Sequence, residues 1–249
     1  MKKIFQILFL LSLSFSTYAQ EALLDSANQA YINQDYNEAI NKYQQVLEGK
    51  KVSAELYYNL ANSYYKKGDY TQAILNYERA KRLAPNDEDI LFNLDMANAH
   101  IIDDIQPLPQ VFFIRWWNSL INTFTPDQWA WATCLSFLLF LAGLGCYLFS
   151  ASSRNKRLGF SFGLLMVLIS IISFNFAATH KKMLAQHRDA IVVQPTVTIK
   201  SSPSEGGTSL FIIHEGLKVE IREELGEWLE IRLDDGNQGW LQASNIERI

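Results

Sequence analysis

Asn33-Gln-Asp-Tyr-Asn-Glu-Ala-Ile40 and Lys67-Gly-Asp-Tyr-Thr-Gln-Ala-Ile74 are two copies of one pattern. Asp35 aligns with Asp69, Tyr36 with Tyr70, Ala39 with Ala73, Ile40 with Ile74 and Tyr43 with Tyr77, each pair 34 positions apart. Around the second copy, Tyr57, Leu60, Ala61 and Tyr64 mark one helix, and Ala73, Tyr77, Ala80 and Leu83 mark the next. The alanines allow close helix approach, and Tyr64, Tyr70 and Tyr77 fill the space beside them. Gly68 supplies a turn conformation that a side chain would penalise. Pro85 cannot continue a helix. The first copy is weaker: Ser26 replaces Leu60, and Gln34 replaces Gly68. A further helix is expected over residues 89–102, carrying Leu91, Leu94 and Ile101; it caps the stack or begins a third repeat.

A 34-residue period of paired helices resembles the tetratricopeptide repeat. The resemblance implies a scaffold over residues 20–105 that binds peptides in a concave groove lined by the first helix of each repeat. The matching positions are Leu24, Asn28 and Tyr31, then Tyr58, Asn62, Tyr65 and Lys66. The family's carboxylate-binding groove needs a Lys four residues before an Asn, where this chain has Leu24 and Tyr58. Asn28 and Asn62 are candidates for bonding an extended peptide backbone. The alternative is that these residues form only a solvated helix face.

The rest of the chain departs from this pattern in both directions. Residues 1–19 hold Lys2 and Lys3, an apolar run from Ile4 to Phe15, and Thr17-Tyr18-Ala19 with small residues at the -3 and -1 positions. That is the pattern of a secretory signal peptide, and an uncleaved anchor would export the same downstream residues. A mean hydropathy of -0.04 conceals three concentrated apolar blocks.

Charge is distributed unevenly. Residues 20–106 hold 14 acidic and 8 basic residues, a net of -6, and residues 189–249 hold 11 and 5, again -6. Residues 107–188 hold 1 and 7, a net of +6. Acidic outer modules argue against nucleic acid as a partner. The basic middle fits contact with anionic lipid headgroups.

Residues 129–150 and 158–178 carry no charge. Each is near the ~20 residues that cross ~30 Å of hydrocarbon. Trp129 and Trp131 stand at one end of the first, as interface anchors do. Gly159 and Gly163 form a small-xxx-small pair. A loop over 151–157 with Arg154, Lys156 and Arg157 is expected on the cytoplasmic side. Lys181, Lys182 and Arg188 nearly balance it, so sidedness rests on the exported N-terminus. Residues 107–125, with Phe113, Trp116, Trp117, Leu120, Ile121 and Phe124 at helical spacing, are expected to form an interfacial amphipathic helix; a helix docked on the repeats is the alternative. Cys134 and Cys146 both lie in the apolar run, so neither a disulfide framework nor a Cys-based zinc site is available.

Residues 190–249 change period. Val192/Val193, Val197/Ile199, Val219/Ile221, Trp228–Ile231 and Gly239–Leu241 read as five short strands, separated by 202–207, His214-Glu-Gly216, Leu225-Gly226 and Asp234-Asp-Gly236. Five such strands suggest a small barrel. Lys200-Ser-Ser-Pro-Ser204, Gly226-Glu-Trp228 and Gly239-Trp-Leu241 resemble the bacterial SH3 domain, with Lys200-Ser201 replacing the family's Arg-Ser. Trp228 and Trp240 are candidate walls of an aromatic binding groove, with at least one of them expected in the core.

No catalytic constellation is visible. His100, His180, His187 and His214 are scattered, no Gly-rich phosphate loop occurs, and no metal-ligand spacing or cofactor motif is present. The order signal peptide, tetratricopeptide repeats, two spans and SH3-like domain resembles the Bat aerotolerance family in its E-type branch. Phe112-Phe-Ile-Arg-Trp-Trp117 fits the same resemblance. It implies a multi-domain inner-membrane protein with both soluble modules in the periplasm. It also implies a non-enzymatic role in a stress-tolerance complex. Its partners would be von Willebrand A-domain membrane proteins and, indirectly, a MoxR-type ATPase. Peptidoglycan is the alternative partner, through the SH3-like domain.

Overall fold

The structure is a computed structural model that describes residues 21–49, 52–106, 108, 112–185 and 188–249, without the side chains of 114 and 183–185. The expected signal peptide, Pro107 and Pro109 lie outside the described residues.

Five helices form the N-terminal part: α1 (21–32), α2 (Tyr36–Glu48), α3 (Ala54–Lys67), α4 (Tyr70–Leu83) and α5 (Glu88–Asn98). The repeat fixes their starts. Asp35 and Asp69 cap α2 and α4 by accepting from Glu38 N and Gln72 N, each at 3.1 Å. An N-cap of this kind contributes about 1 kcal/mol. Gly68 ends α3 in the left-handed region at φ 86°. Gln34 holds the same place at φ 64°, so the first copy makes the same turn at a cost of about 1 kcal/mol. The shared core includes Ala39, Tyr43, Leu60, Ala61, Ala73, Ile74 and Tyr77. The helix expected over 89–102 stops at Asn98, and Ile101 leaves its line to pack elsewhere.

The C-terminal part is one antiparallel sheet of seven strands: β1 (Asp189–Val192), β2 (Thr196–Lys200), β3 (Ser209–His214), β4 (Lys218–Leu225), β5 (Trp228–Arg232), β6 (Gln238–Gln242) and β7 (Ile246–Arg248). Their order is β3-β2-β6-β5-β4-β1-β7. Five of these were expected. β3 escapes a period-2 reading because Leu210 and Ile212 are 50% and 55% exposed, so apolar residues occupy both faces of Ser209–His214. β7 is only three residues long. Ile199, Ile213, Val219, Leu229, Ile231 and Leu241 close the core beneath the sheet.

These two parts form one compact unit. Ile191 and Ile249 are buried in the helical core rather than in the sheet's own. Around them the contacts are polar. Lys218 Nζ reaches Glu78 Oε2 at 2.9 Å and Asp189 Oδ2 at 3.1 Å. Arg79 Nη2 reaches Glu247 Oε1 at 2.9 Å, and Thr71 Oγ1 donates to Glu215 Oε2 at 3.1 Å. Asp103 holds the backbone N of His214 at 2.6 Å and its Nδ1 at 2.9 Å. A Cβ on Gly216, at φ 87°, would stand 2.5 Å from Ile101 Cγ2. Docking explains why Thr71, Asn76 and Glu78 of α4 are buried although their types suit solvent. Burial pulls the Lys218 ammonium down, but the Glu78 and Asp189 carboxylates outweigh it and hold the pKa above its ordinary value.

A second unit holds α6 (Phe112–Asn122), α7 (Pro126–Phe149) and α8 (Ser153–Ala185). Two stretches, Pro126–Phe149 and Ser153–Lys182, are long and apolar enough to cross a membrane. Thr125 starts α7 with a capping box completed by Gln128, and Pro126 occupies the first turn. The connection to α8 is only residues 150–152. The loop expected over 151–157 is therefore mostly helix, and Arg154, Lys156 and Arg157 ride on the first two turns of α8. The hairpin closes on glycine: a Cβ on Gly159 would stand 2.8 Å from Gly143 O. Ser170 Oγ donates across it to Thr133 O at 3.2 Å. α6 packs on this hairpin, with the Trp117 ring 5.2 Å from Phe176, and Trp129 Nε1 donates to Ile121 O at 2.9 Å. Phe112, Phe113, Trp116 and Trp117 are left exposed.

Glu78 is nearly inaccessible and its other cation, Lys81, stands 3.9 Å away, so removing Lys218 leaves the carboxylate poorly paired, at a cost below the ~3 kcal/mol of a fully buried pair because Lys218 is partly exposed. Lys218→Glu is expected to destabilise the first unit by on the order of 2 kcal/mol, with the Glu78→Lys/Lys218→Glu double variant recovering part of the loss. Urea unfolding of the full chain in detergent, followed by tryptophan fluorescence, measures it. Purely additive losses in the double variant would show that this pair does not couple the helices to the sheet.

Candidate ligand-binding groove

The concave side of the helices carries a cavity of about 290 Å³. Tyr31 from α1 and Tyr58, Asn62, Tyr65 and Lys66 from α3 line it, as the repeat pattern placed them. Leu24 is instead half-buried against the helical core. Asn28 does not line this cavity; its Oδ1 accepts from Tyr43 Oη at 2.7 Å. Tyr77, Phe92, Asn93 and Met96 complete the wall and were not anticipated. The signal for three of them was available, since Phe92 and Met96 are four apart on α5 with Asn93 beside them, which is one helix face.

The Tyr43–Asn28 bond recurs one repeat later. Tyr77 Oη donates to Asn62 Oδ1 at 2.5 Å, again across 15 positions. Asn93 Nδ2 then donates to Tyr58 Oη at 2.7 Å and to Asn62 Oδ1 at 3.3 Å. The Tyr58 and Tyr77 rings lie 5.9 Å apart. The two asparagines named as candidates for bonding a peptide backbone thus have their oxygens engaged by the protein. At the rim, His100 stacks on Tyr70 at 3.9 Å with Tyr65 edge-on at 5.7 Å.

On the sheet, Trp228 and Trp240 share the face opposite the core, because Leu229, Ile231, Gly239 and Leu241 take the inward positions of β5 and β6. Neither Trp belongs to the core, contrary to the expectation that at least one would; the aliphatic residues of seven strands fill that space without them. Lys200 Nζ lies 5.7 Å from the centre of the Trp228 ring and is bonded to Glu205, which also accepts from Gln242 Nε2 at 2.6 Å. Among the described residues no group of three or more His, Cys, Asp or Glu is placed to hold a metal ion.

Family models of the tetratricopeptide repeat match residues 54–87 and 27–68. Residues 27–87 are therefore tetratricopeptide repeats, a class of helical scaffold for protein–protein interaction. No curated protein sequence matches the chain.

The buried tyrosines have an alkaline consequence. Burial, followed by the nearby Tyr31 and Glu55, pushes the Tyr43 hydroxyl up to about 12 from its ordinary 10.0. Tyr77 is raised for the same reason, with Tyr58, Tyr31 and Tyr65 adding to it. A neutral Tyr43 donates to Asn28, and a phenolate cannot. In the unfolded chain the group ionises near 10, so its contribution is complete below that pH and is lost as pH climbs towards 12. The loss is of order 2–3 kcal/mol for Tyr43. Tyr43→Phe is expected to lose less stability than the wild type between pH 10 and 12, despite a lower stability at pH 8. Urea titrations at each pH, read by circular dichroism, give the comparison.

Proposed function

We propose that this protein is a non-enzymatic, membrane-anchored adaptor that holds a segment of a partner protein in its repeat groove. The observation that carries this is the convergence of Tyr31, Tyr58, Asn62, Tyr65 and Lys66 on one open cavity of the repeat scaffold. Membrane anchoring is supported by two helices of spanning length and apolarity. The sheet's order of short antiparallel strands and its Gly-Trp hairpin support an SH3-like assignment. The docking of the repeats on the sheet supports an even number of crossings by the block between them, with both modules on one side. The export pattern of residues 1–19 supports the periplasm as that side. The domain order then favours a Bat-type complex in the inner membrane, with von Willebrand A-domain proteins as direct partners and a MoxR-type ATPase further off. Crosslinking in native membranes tests it: Lys66→Ala/Phe92→Ala, at two exposed positions of the groove, is expected to lose the partner captured by the wild type while resisting proteolysis equally. A partner retained by that variant would remove the groove from the reading.

A second reading, in which the SH3-like sheet binds peptidoglycan stem peptides, is favoured by one observation. Trp228 and Trp240 lie together on an outward face beside Lys200. The net charge of -6 over residues 189–249 gives no electrostatic help towards an anionic wall. On this reading the detergent-solubilised full chain sediments with purified sacculi, and Trp228→Ala/Trp240→Ala does not. Wild type left in the supernatant would exclude it.

A further inference from the structure

We infer, building on the adaptor function proposed above, that the groove selects a partner segment carrying one bulky apolar side chain next to a carboxylate. The polarity of the groove follows from its internal bonds. Asn62 Oδ1 accepts from both Tyr77 and Asn93, so the carboxamide has its NH₂ left to offer a ligand. Tyr58 Oη accepts from Asn93, which leaves its own proton to donate. Lys66 can only donate; it is exposed and makes no ion pair among the described residues. Among the described residues it is also the one ionised side chain lining the cavity. Asn93 Oδ1 is the acceptor set against this array. Backbone carbonyls and a carboxylate complement such a surface, whereas a lysine or arginine side chain meets a like charge. Bonds with one charged member are about twice as strong as neutral ones.

The apolar requirement comes from α5. Phe92 and Met96 stand on the groove face with 65% and 44% of their surface exposed, beside the rings of Tyr58 and Tyr77. At about 290 Å³ the cavity falls just below the ~300–1,000 Å³ typical of small-molecule sites, which suits one side chain rather than a whole ligand. An aromatic or large aliphatic anchor fits it, with its backbone carbonyls against Asn62 and Tyr58 and a neighbouring carboxylate near Lys66.

Three acetylated, amidated tetrapeptides test this on the full chain in detergent micelles, with saturation-transfer and chemical-shift titrations as readout. The Gly-Phe-Asp-Gly peptide is expected to bind at least tenfold more tightly than Gly-Phe-Lys-Gly or Gly-Ala-Asp-Gly. Asn62→Asp keeps the oxygen used by Tyr77 and Asn93 but replaces the donor with an acceptor, and it should weaken the first peptide at least tenfold. Lys66→Glu, on the surface, should do the same if the buried change perturbs folding. Equal binding of the Asp and Lys peptides, or no effect of Asn62→Asp and Lys66→Glu, would overturn the donor array while leaving the groove in place. Binding of all three that is unaffected by Phe92→Ser would put the site elsewhere and overturn the groove as well. No binding by any of them would overturn the segment class.

Discussion

Helix α4 is enclosed on two sides. On one, Ala73, Tyr77 and Ala80 meet the other repeat helices; on the other, Glu78 reaches Lys218 at 2.9 Å while Ile191 and Ile249 enter the helical core. A two-repeat array is short of the roughly three units that normally bury a continuous solenoid core. The sheet supplies the missing cover. It does so with charged and polar contacts at the margin and a few isoleucines at the centre, a mixture that fixes relative orientation as well as adding buried area. Gly216 belongs to the same arrangement, since its φ of 87° and its closeness to Ile101 both exclude a side chain.

That docking leaves the concave face clear. The sheet covers α4, whereas the groove is lined mainly by α3 and α5. Each repeat spends a tyrosine hydroxyl on an asparagine oxygen, Tyr43 on Asn28 outside the groove and Tyr77 on Asn62 within it. The bond ties the second helix of a repeat to the first at a place where both polar groups would otherwise be partly desolvated, a penalty of ~1–3 kcal/mol each. It also decides what the asparagines can still offer, so one interaction serves packing and sets the polarity of the surface.

The block between the two halves obeys other rules. Its hairpin is held where Gly143 and Gly159 let backbones touch and where Ser170 reaches Thr133, the small-residue and hydroxyl contacts that serve helices without a hydrophobic driving force between them. The basic residues that looked like a loop are helical because Ser150 to Ser152 suffice to reverse the chain.

The sequence by itself determined the local elements. A period of 34, the Asp caps and Gly68 specify paired helices through short-range geometry; two uncharged runs specify long apolar helices; alternating apolar residues specify β2, β4, β5 and β6. It also placed Tyr31, Tyr58, Asn62, Tyr65 and Lys66 on one surface, because residues three and four apart on a helix share a face. Tertiary structure decided what depends on distant partners. Glu78 reads as a solvent residue until Lys218, 140 positions away, buries it. Asn62 reads as a candidate contact for a peptide backbone, and the fold shows that Tyr77 and Asn93 take its oxygen. Trp228 and Trp240 read as groove walls with at least one of them in the core, until aliphatic residues from across the sheet fill that space and leave both on the outer face. In each case the deciding contact joins elements whose spacing along the chain carries no periodic signal, so only the folded molecule shows which polar groups are spent and which remain for a partner.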